Sequence, residues 1–303
     1  MALPRPTPQR LVFRPARRVS WATWIFAILV LLLAGGAVGA FLEVVLPQRV
    51  AQLAQSEAGE LALARKGATD ATPAVIALWS DISAKGGISL SDDQLAKDLA
   101  LAKATEKTAD DGLSHMQAAQ SYMSQADGLP FQFHAPSFIA TDRPALQHLE
   151  KALQTTTKLT HAATLQLTVA QHLNQDALTI SGSLNPSLNA RAWTDAARTA
   201  SALTTDLTTQ QVPAGDPEAL LDPLWSKWVD AMLAVASSAK QLSLASASGQ
   251  SQQAQLASRN LATARAQLAQ TFADAQNGAA AWQAKTVQPL LDTIAREKSA
   301  GGA

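Results

Sequence analysis

The chain contains no cysteine among its 303 residues, so disulfide bonds, thiolate metal ligands and a cysteine nucleophile are all excluded. Charged residues make up only 16% of the chain, against about 25% in an ordinary soluble protein. No run shows the alternation of apolar and polar residues, bounded by turn residues, that is typical of a half-buried strand. Stability must therefore come from packing alone, and the fold class that we predict is all-α.

The sequence also lacks the patterns that carry catalysis or metal binding. It has no His-Glu-x-x-His pair, no Gly-x-Ser-x-Gly elbow, no Ser-x-x-Lys motif and no glycine-rich phosphate loop. His161 and His172 fall on one helical face, but eleven residues of helix separate them by about 16 Å, too far to share one metal ion. We therefore predict no enzymatic activity, no cofactor and no metal site.

One long uncharged run extends from Trp21 to Leu42. Its 22 residues would form a helix of about 33 Å, enough to cross a hydrocarbon core of about 30 Å. Trp21 and Trp24 stand at its start, where amphipathic rings favour the lipid headgroups. We predict a transmembrane signal-anchor helix over residues 21–46, with the lipid bilayer as its partner. The alternative is a cleaved signal peptide, since Val38-Gly39-Ala40 offers small residues to a peptidase.

A basic tail precedes the apolar run. It contains five arginines and no acid, namely Arg5, Arg10, Arg14, Arg17 and Arg18. Positive charge stays on the cytoplasmic side, so Arg14, Arg17 and Arg18 predict a cytoplasmic N-terminus and an extracytoplasmic remainder at the plasma (inner) membrane. Residues 1–20 contain four prolines and no helical period, and we predict that they are disordered. Without these arginines the chain has 19 basic and 24 acidic residues, which argues against nucleic acid as a partner.

Gly35 and Gly39 form a GxxxG pair within the apolar run. Such a pair lets two helices approach closely in lipid, so this face is a candidate for homodimerisation. The alternative is a helix end made flexible by glycine.

The remainder of the chain, residues 47–298, is predicted to be an elongated antiparallel helical bundle with coiled-coil-like seams. Possible halves are residues 47–210 and 218–298, and residues 299–303 are predicted to be disordered. Gly67 is expected to end the first helix, and Ser91 is expected to open a capping box. The predicted seams take positions spaced by four and three residues. One seam contains Leu95, Leu99, Ala102, Glu106, Ala109, Leu113, Met116, Gln120 and Met123, and the next contains Leu149, Ala152, Thr156, Leu159, Ala163, Gln166, Ala170, Leu173, Ala177 and Ile180.

The segment most typical of a binding site is the loop Leu129 to Phe138, which contains Phe131, Phe133, His134 and Phe138. An apolar loop at the end of a helical hairpin can contact a partner, or it can fold back and close the end of the bundle. We expect a non-catalytic, membrane-anchored scaffold of the cell envelope that binds other membrane or envelope proteins. The alternative is an extracytoplasmic sensory bundle that holds a small molecule and signals through a partner.

Overall fold

The computed structural model describes residues 21–84, 91–130, 135–209 and 223–303. All regular structure in these ranges is helical, which confirms the all-α class. The helices are α1 (Trp21–Ala40), α2 (Leu46–Ala84), α3 (Asp92–Asp127), α4 (Ser137–Thr179), α5 (Asn185–Asn189), α6 (Trp193–Thr209), α7 (Pro223–Ala247), α8 (Ser251–Thr286) and α9 (Gln288–Ala300). Residues 211–217, which separate the two possible halves of the bundle, lie outside the described residues.

A π-helical turn, Phe41–Val45, joins α1 to α2, so the chain is helical without a break from Trp21 to Ala84. At the rise of an α-helix this run is about 95 Å long. The prediction that Gly67 ends a helix was wrong, since α2 continues through Gly67 to Ala84. Glycine at this position serves close packing and not helix termination. A Cβ on Gly67 would lie 2.9 Å from the Cα of Gly112, so glycine allows α2 and α3 to approach closely.

Helix α3 runs antiparallel to α2. Gly67 faces Gly112, and one turn farther along α3 the Nδ1 of His115 lies 2.7 Å from the Oε2 of Glu60. Ser91 caps the start of α3 as predicted, because its Oγ accepts a hydrogen bond from the backbone N–H of Gln94 at 3.3 Å. The close approach of Gly67 to Gly112 and the contact between Glu60 and His115 set the register of α2 against α3.

Helix α4 returns antiparallel to α3. The hydroxyl of Thr157 donates to the Oδ1 of Asp110 at 3.2 Å, and the Nδ1 of His161 lies 3.7 Å from the Oε1 of Glu106. Helix α4 begins at Ser137. It packs against α2, α3, α6 and α9, and is the longest and most central helix of the bundle.

The C-terminal residues are ordered, unlike the prediction for 299–303. Ser299 and Ala300 complete α9, and the carbonyl of Gly301 accepts a hydrogen bond from the Nε of Arg65 at 3.1 Å. Gly301 is buried against Leu149, because it lacks the side chain that would meet that leucine. The end of the chain is therefore held by contacts with α2 and α4.

The described helices enclose two clusters of buried apolar residues. The lower core lies between the first part of α2, the second part of α3 and the first part of α4, and Leu53, Leu61, Met116, Met123, Ile139, Leu149 and Leu153 belong to it. The upper core includes residues from the end of α2, the second part of α4 and helices α5–α9; its members include Trp79, Leu167, Leu173, Leu203, Trp225, Trp228, Met232 and Leu261.

Candidate functional site

The predicted aromatic loop is only partly within the described residues. Phe131, Phe133 and His134 lie outside them. Phe138 is in the first turn of α4, where it is half-buried and packs against the lower core. Closure of the bundle end by this loop and binding of a partner by it both stay predictions.

Helix α1 presents an open apolar surface. Trp21 and Trp24 are 81% and 63% exposed, and a Cβ added at Gly35 or Gly39 would meet nothing within 4 Å. Dimerisation through the two glycines therefore stays a prediction. The orienting arginines Arg14, Arg17 and Arg18 lie outside the described residues.

One helical run among the described residues is long and apolar enough to cross a membrane. Its most apolar 18-residue window has a mean hydropathy of 2.7, and none of that window is buried. This assignment is based on the length and the apolar composition of the helix, and an N-terminal signal sequence meets the same two criteria.

Three histidines of the bundle face glutamates on neighbouring helices. His115 of α3 contacts Glu60 of α2, and His161 of α4 lies near Glu106 of α3. The third, His148, contacts Glu297 of α9. Within the described ranges no three side chains of His, Asp or Glu are grouped so that they could hold a metal ion. The contacts of these histidines with the glutamates link neighbouring helices of the bundle.

The Glu297 carboxylate fastens α9 to α4. Its Oε2 lies 2.7 Å from the Nδ1 of His148, and its Oε1 accepts a hydrogen bond from the Nζ of Lys151 at 2.9 Å. The hydrogen bonds from His148 and then Lys151 lower the pKa of Glu297 to about 2. The carboxylate therefore stays ionised over the whole range in which proteins ordinarily work, and it holds the C-terminal helix in place.

Glu57 of α2 has the opposite environment. It is 1% exposed, and its Oε1 has no hydrogen-bond partner. Burial, and second the nearby Asp142 carboxylate, raise the pKa of Glu57 to about 7, although Arg65 acts against this shift. Nothing in the sequence signals this unpartnered oxygen, because it depends on the side chains that other helices place around Glu57. A buried carboxyl with this pKa changes its charge near neutral pH.

An open groove of about 470 Å³ lies at the end of the α7–α8 hairpin. It is lined by both helices and the turn between them, and Leu244 and Leu256 on its walls are 52% and 61% exposed. Sequence reasoning missed this surface, because neither leucine falls on a predicted seam. The only signal was the pair of leucines within a segment without charge, Gln241 to Ser258.

A second groove, of about 300 Å³, lies between α3 and α4. Its lining includes Gln120, Gln147 and the oppositely charged Arg143 and Glu150. The Nε2 of Gln120 already donates to the Oε2 of Glu150 at 3.4 Å across this groove. The groove is therefore more polar than the one on the α7–α8 hairpin, and part of its polar lining is satisfied within the protein.

No protein-family model matches this chain, no curated protein is similar to it in sequence, and no solved structure is similar to it in fold.

Proposed function

We propose that this protein is a membrane-anchored helical bundle that serves as a binding scaffold at the cell envelope. The observation that supports this proposal best is the continuity of α1 with the bundle. The apolar, unburied helix Trp21–Ala40 passes through the π-helical turn Phe41–Val45 into α2, which contributes to both cores. A helix that is both a membrane span and part of the bundle core would hold the bundle at the membrane surface without a flexible linker.

The scaffold role draws on the length of the bundle. Trp79 lies 33 residues, or about 50 Å of helix, beyond Leu46, and its carbonyl accepts a hydrogen bond from the Nε2 of Gln283 at 3.0 Å. Ser251 lies another 32 residues, about 48 Å of helix, along α8 from Gln283. A bundle of this length would present surfaces far from the bilayer, where partners that are not themselves in the membrane can bind.

The anchor and its orientation can be tested with single cysteines, because the chain has none of its own. Thr7→Cys would mark the basic tail, and Ser248→Cys would mark the exposed end of α7–α8. We expect a membrane-impermeant maleimide to label Ser248→Cys in intact cells and to label Thr7→Cys only after permeabilisation. Labelling in the reverse order would contradict the orientation, and release of the full-length chain by alkaline carbonate would contradict the anchor.

The scaffold function itself predicts a stable partner. Purification of the tagged full chain from native membranes in mild detergent should recover a membrane or envelope protein at stoichiometric level, identified by mass spectrometry. A chain that comes out alone or as a homodimer would count against the scaffold.

The second candidate function is a sensory bundle, and Glu57 is the observation that favours it. This buried carboxyl lies on the helix that continues into α1, so a change at Glu57 would act on the segment nearest the proposed membrane span. A small molecule that raises the melting temperature of the full chain, and that is recovered with it on purification, would support this function over the scaffold.

A further inference from the structure

We propose that the groove at the end of the α7–α8 hairpin docks an acidic amphipathic helix of a partner protein. This inference rests on the proposed function, since it assigns the partner-binding surface of the scaffold and the chemistry of its partner.

The shape and lining of the groove fit a helix. Ala245 of α7 and Ala257 of α8 are buried beside the groove, while Leu244 and Leu256 stay exposed on its two sides. Small residues at the base and leucines on the walls leave room for a third helix to lie against the first two. Helices that bind in such grooves insert apolar side chains spaced three and four residues apart.

The charges near the groove indicate which charge a partner helix would have. Lys240 is four residues before Leu244 and Arg259 is three residues after Leu256, so each cation lies one helical turn from an exposed leucine on the same side of its helix. The chain contains no aspartate or glutamate between Asp230 and Asp274. The segment from residue 231 to residue 273 therefore has only basic charges, although the chain beyond the N-terminal tail is acidic overall, and this segment is complementary to acidic residues beside an apolar stripe.

The third cation of this stretch is already engaged. The guanidinium of Arg265 donates a hydrogen bond to the Oδ1 of Asn185, at the start of α5. Lys240 and Arg259 each directly precede a residue that lines the groove, Gln241 and Asn260 respectively, so the test can be confined to these two cations and the two leucines. Gln241, Gln250, Gln253 and Asn260 line the same groove and can hydrogen-bond acidic or amide side chains at its rim.

A protein fits this surface better than a bilayer does. In the proposed arrangement the groove is separated from Leu46, at the start of α2, by about 98 Å of helix, measured along α2 and α8 through the contact of Trp79 with Gln283. A concave surface between two helices also suits an inserted helix, whereas a lipid surface is bound by side chains that protrude. A vesicle with anionic lipid is therefore the competing ligand in the experiment.

The test uses the full chain in detergent and two fluorescent peptides of 18 residues. Both peptides have leucines at positions spaced by three and four, one with glutamates and the other with lysines beside them. We expect the glutamate peptide to bind about tenfold or more tightly than the lysine peptide, measured by fluorescence anisotropy. The double change Leu244→Ser and Leu256→Ser, and separately Lys240→Glu with Arg259→Glu, should each weaken binding of the glutamate peptide by about tenfold or more.

Matched controls use exposed residues away from the groove. Leu178→Ser on α4 and Lys285→Glu on α8 alter the same residue types, and each should change the affinity by less than about twofold. Helical content by circular dichroism checks that every variant is folded. Equal binding of the two peptides, no binding of either, or an equal loss in the controls would overturn the proposal.

Two further arms separate this inference from the proposed function. In the first arm, vesicles with anionic lipid are tested for binding through Leu244 and Leu256. If the vesicles bind and the glutamate peptide does not, the ligand of this surface is a bilayer and not a helix, and the proposal is overturned. A photocrosslinker at Ser248 reports on the native partner in membranes. If the glutamate peptide does not bind, and a stoichiometric partner is recovered that does not crosslink at Ser248, the groove is not the docking site. That result would overturn this inference and leave the scaffold function supported.

Discussion

The lower and upper cores are built from side chains of different size. Six of the fourteen buried residues of the lower core are alanines, namely Ala64, Ala68, Ala71, Ala109, Ala119 and Ala126, and none is aromatic. The buried residues of the upper core include Trp79, Trp225 and Trp228. Small residues let helix backbones approach closely, whereas large rings fill the space between helices that are farther apart. The lower core should therefore be sensitive to added atoms, and the upper core to atoms that are removed.

The largest effect expected from this comparison is that of Trp79→Ala in the upper core. The Trp79 ring is fully buried, its Nε1 donates to the carbonyl of Leu159 at 3.2 Å, and its centroid lies 6.1 Å from that of Trp282. Loss of this ring should cost about 3–5 kcal/mol in the free energy of unfolding, because it leaves a cavity and removes the indole donor. Urea unfolding of the detergent-solubilised full chain, followed by circular dichroism, measures the change.

Hydrogen exchange on the same variant tests whether the loss is local. Faster exchange should appear first in α4, α7 and α8 around the upper core, with less change in the second half of α3. Trp24→Ala is the matched control, because Trp24 is exposed on α1 and its removal should leave the unfolding of the bundle unchanged. A loss below about 1 kcal/mol for Trp79→Ala would mean that the ring does not hold the upper core together.

Gly67→Ala tests the lower core in the opposite direction. The added Cβ would lie 2.9 Å from the Cα of Gly112 and 3.3 Å from the carbonyl oxygen of Thr108. Both neighbours are backbone atoms, so α2 and α3 would have to separate, at a cost of about 3 kcal/mol, the upper part of the usual range for overpacking. The same unfolding experiment measures this loss.

Gly59→Ala on the same helix is the control for that change. A Cβ at Gly59 would meet nothing within 4 Å, so alanine should stabilise the chain by about 0.5–1 kcal/mol through its helix propensity alone. Opposite signs for the two glycines would confirm that close approach, rather than flexibility, selects Gly67. Equal effects of the two changes would rule that explanation out.

The sequence was sufficient to predict that the regular structure is helical and to predict which residues of α4 are buried. Every predicted seam position of α4 is buried except Ala177, which is half-buried. This success has a physical reason, since α4 packs against α2, α3, α6 and α9, and the apolar positions of its predicted seam are buried whichever of these neighbours they face. The start of α3 was also predictable, because the cap at Ser91 is a local interaction.

The seam of α3 was only half predicted. Alternate positions of the predicted seam are buried as expected, namely Leu95, Ala102, Ala109, Met116 and Met123. The other buried positions of α3 each lie three residues after one of these, whereas the predicted seam placed them four residues after. Asp98, Thr105, Gly112, Ala119 and Ala126 are buried in place of Leu99, Glu106, Leu113 and Gln120. Hydrophobicity favours the leucines, but the close approach of α2 and α4 leaves space for small side chains. Which positions of α3 are buried depends on the helices that pack against it, and the sequence of α3 alone does not specify those neighbours.

The candidate sites were less predictable for the same reason. The exposed leucines of the α7–α8 groove come from two helices, and their proximity follows from how the hairpin pairs. The unpartnered oxygen of Glu57 likewise depends on which side chains α3 and α4 bring close to α2. By contrast, the length and apolar character of α1 are properties of one continuous segment and were predictable from composition, while its place in a membrane stays a prediction.

The smallest of the three effects concerns the charge within the lower core, and it is tested by Glu57→Gln. The pKa of Glu57 is raised from 4.5 to about 7, so the folded protein retains a proton that the unfolded chain has lost between these values. Stability from this group is therefore fully present below pH 4.5 and is lost as pH rises through about 7. Between pH 5 and 8 this amounts to about 2 kcal/mol of unfolding free energy. Glutamine cannot ionise, so Glu57→Gln should remove this decline and be more stable than the parent chain at pH 8.

The measurement is urea unfolding at pH 5 and pH 8 for the full chain, the Glu57→Gln variant and Glu150→Gln as a control. Glu150 is half-buried and accepts hydrogen bonds from Gln120 and Gln154, so Glu150→Gln controls for the loss of a carboxylate elsewhere on the bundle. The same pH dependence in Glu57→Gln and the parent would show that Glu57 is ionised at both pH values. Since alanine and glycine leave the helices of the lower core in close contact, no room remains to hydrate a carboxylate there, and the charge is suppressed by the same tight packing that makes Gly67→Ala costly.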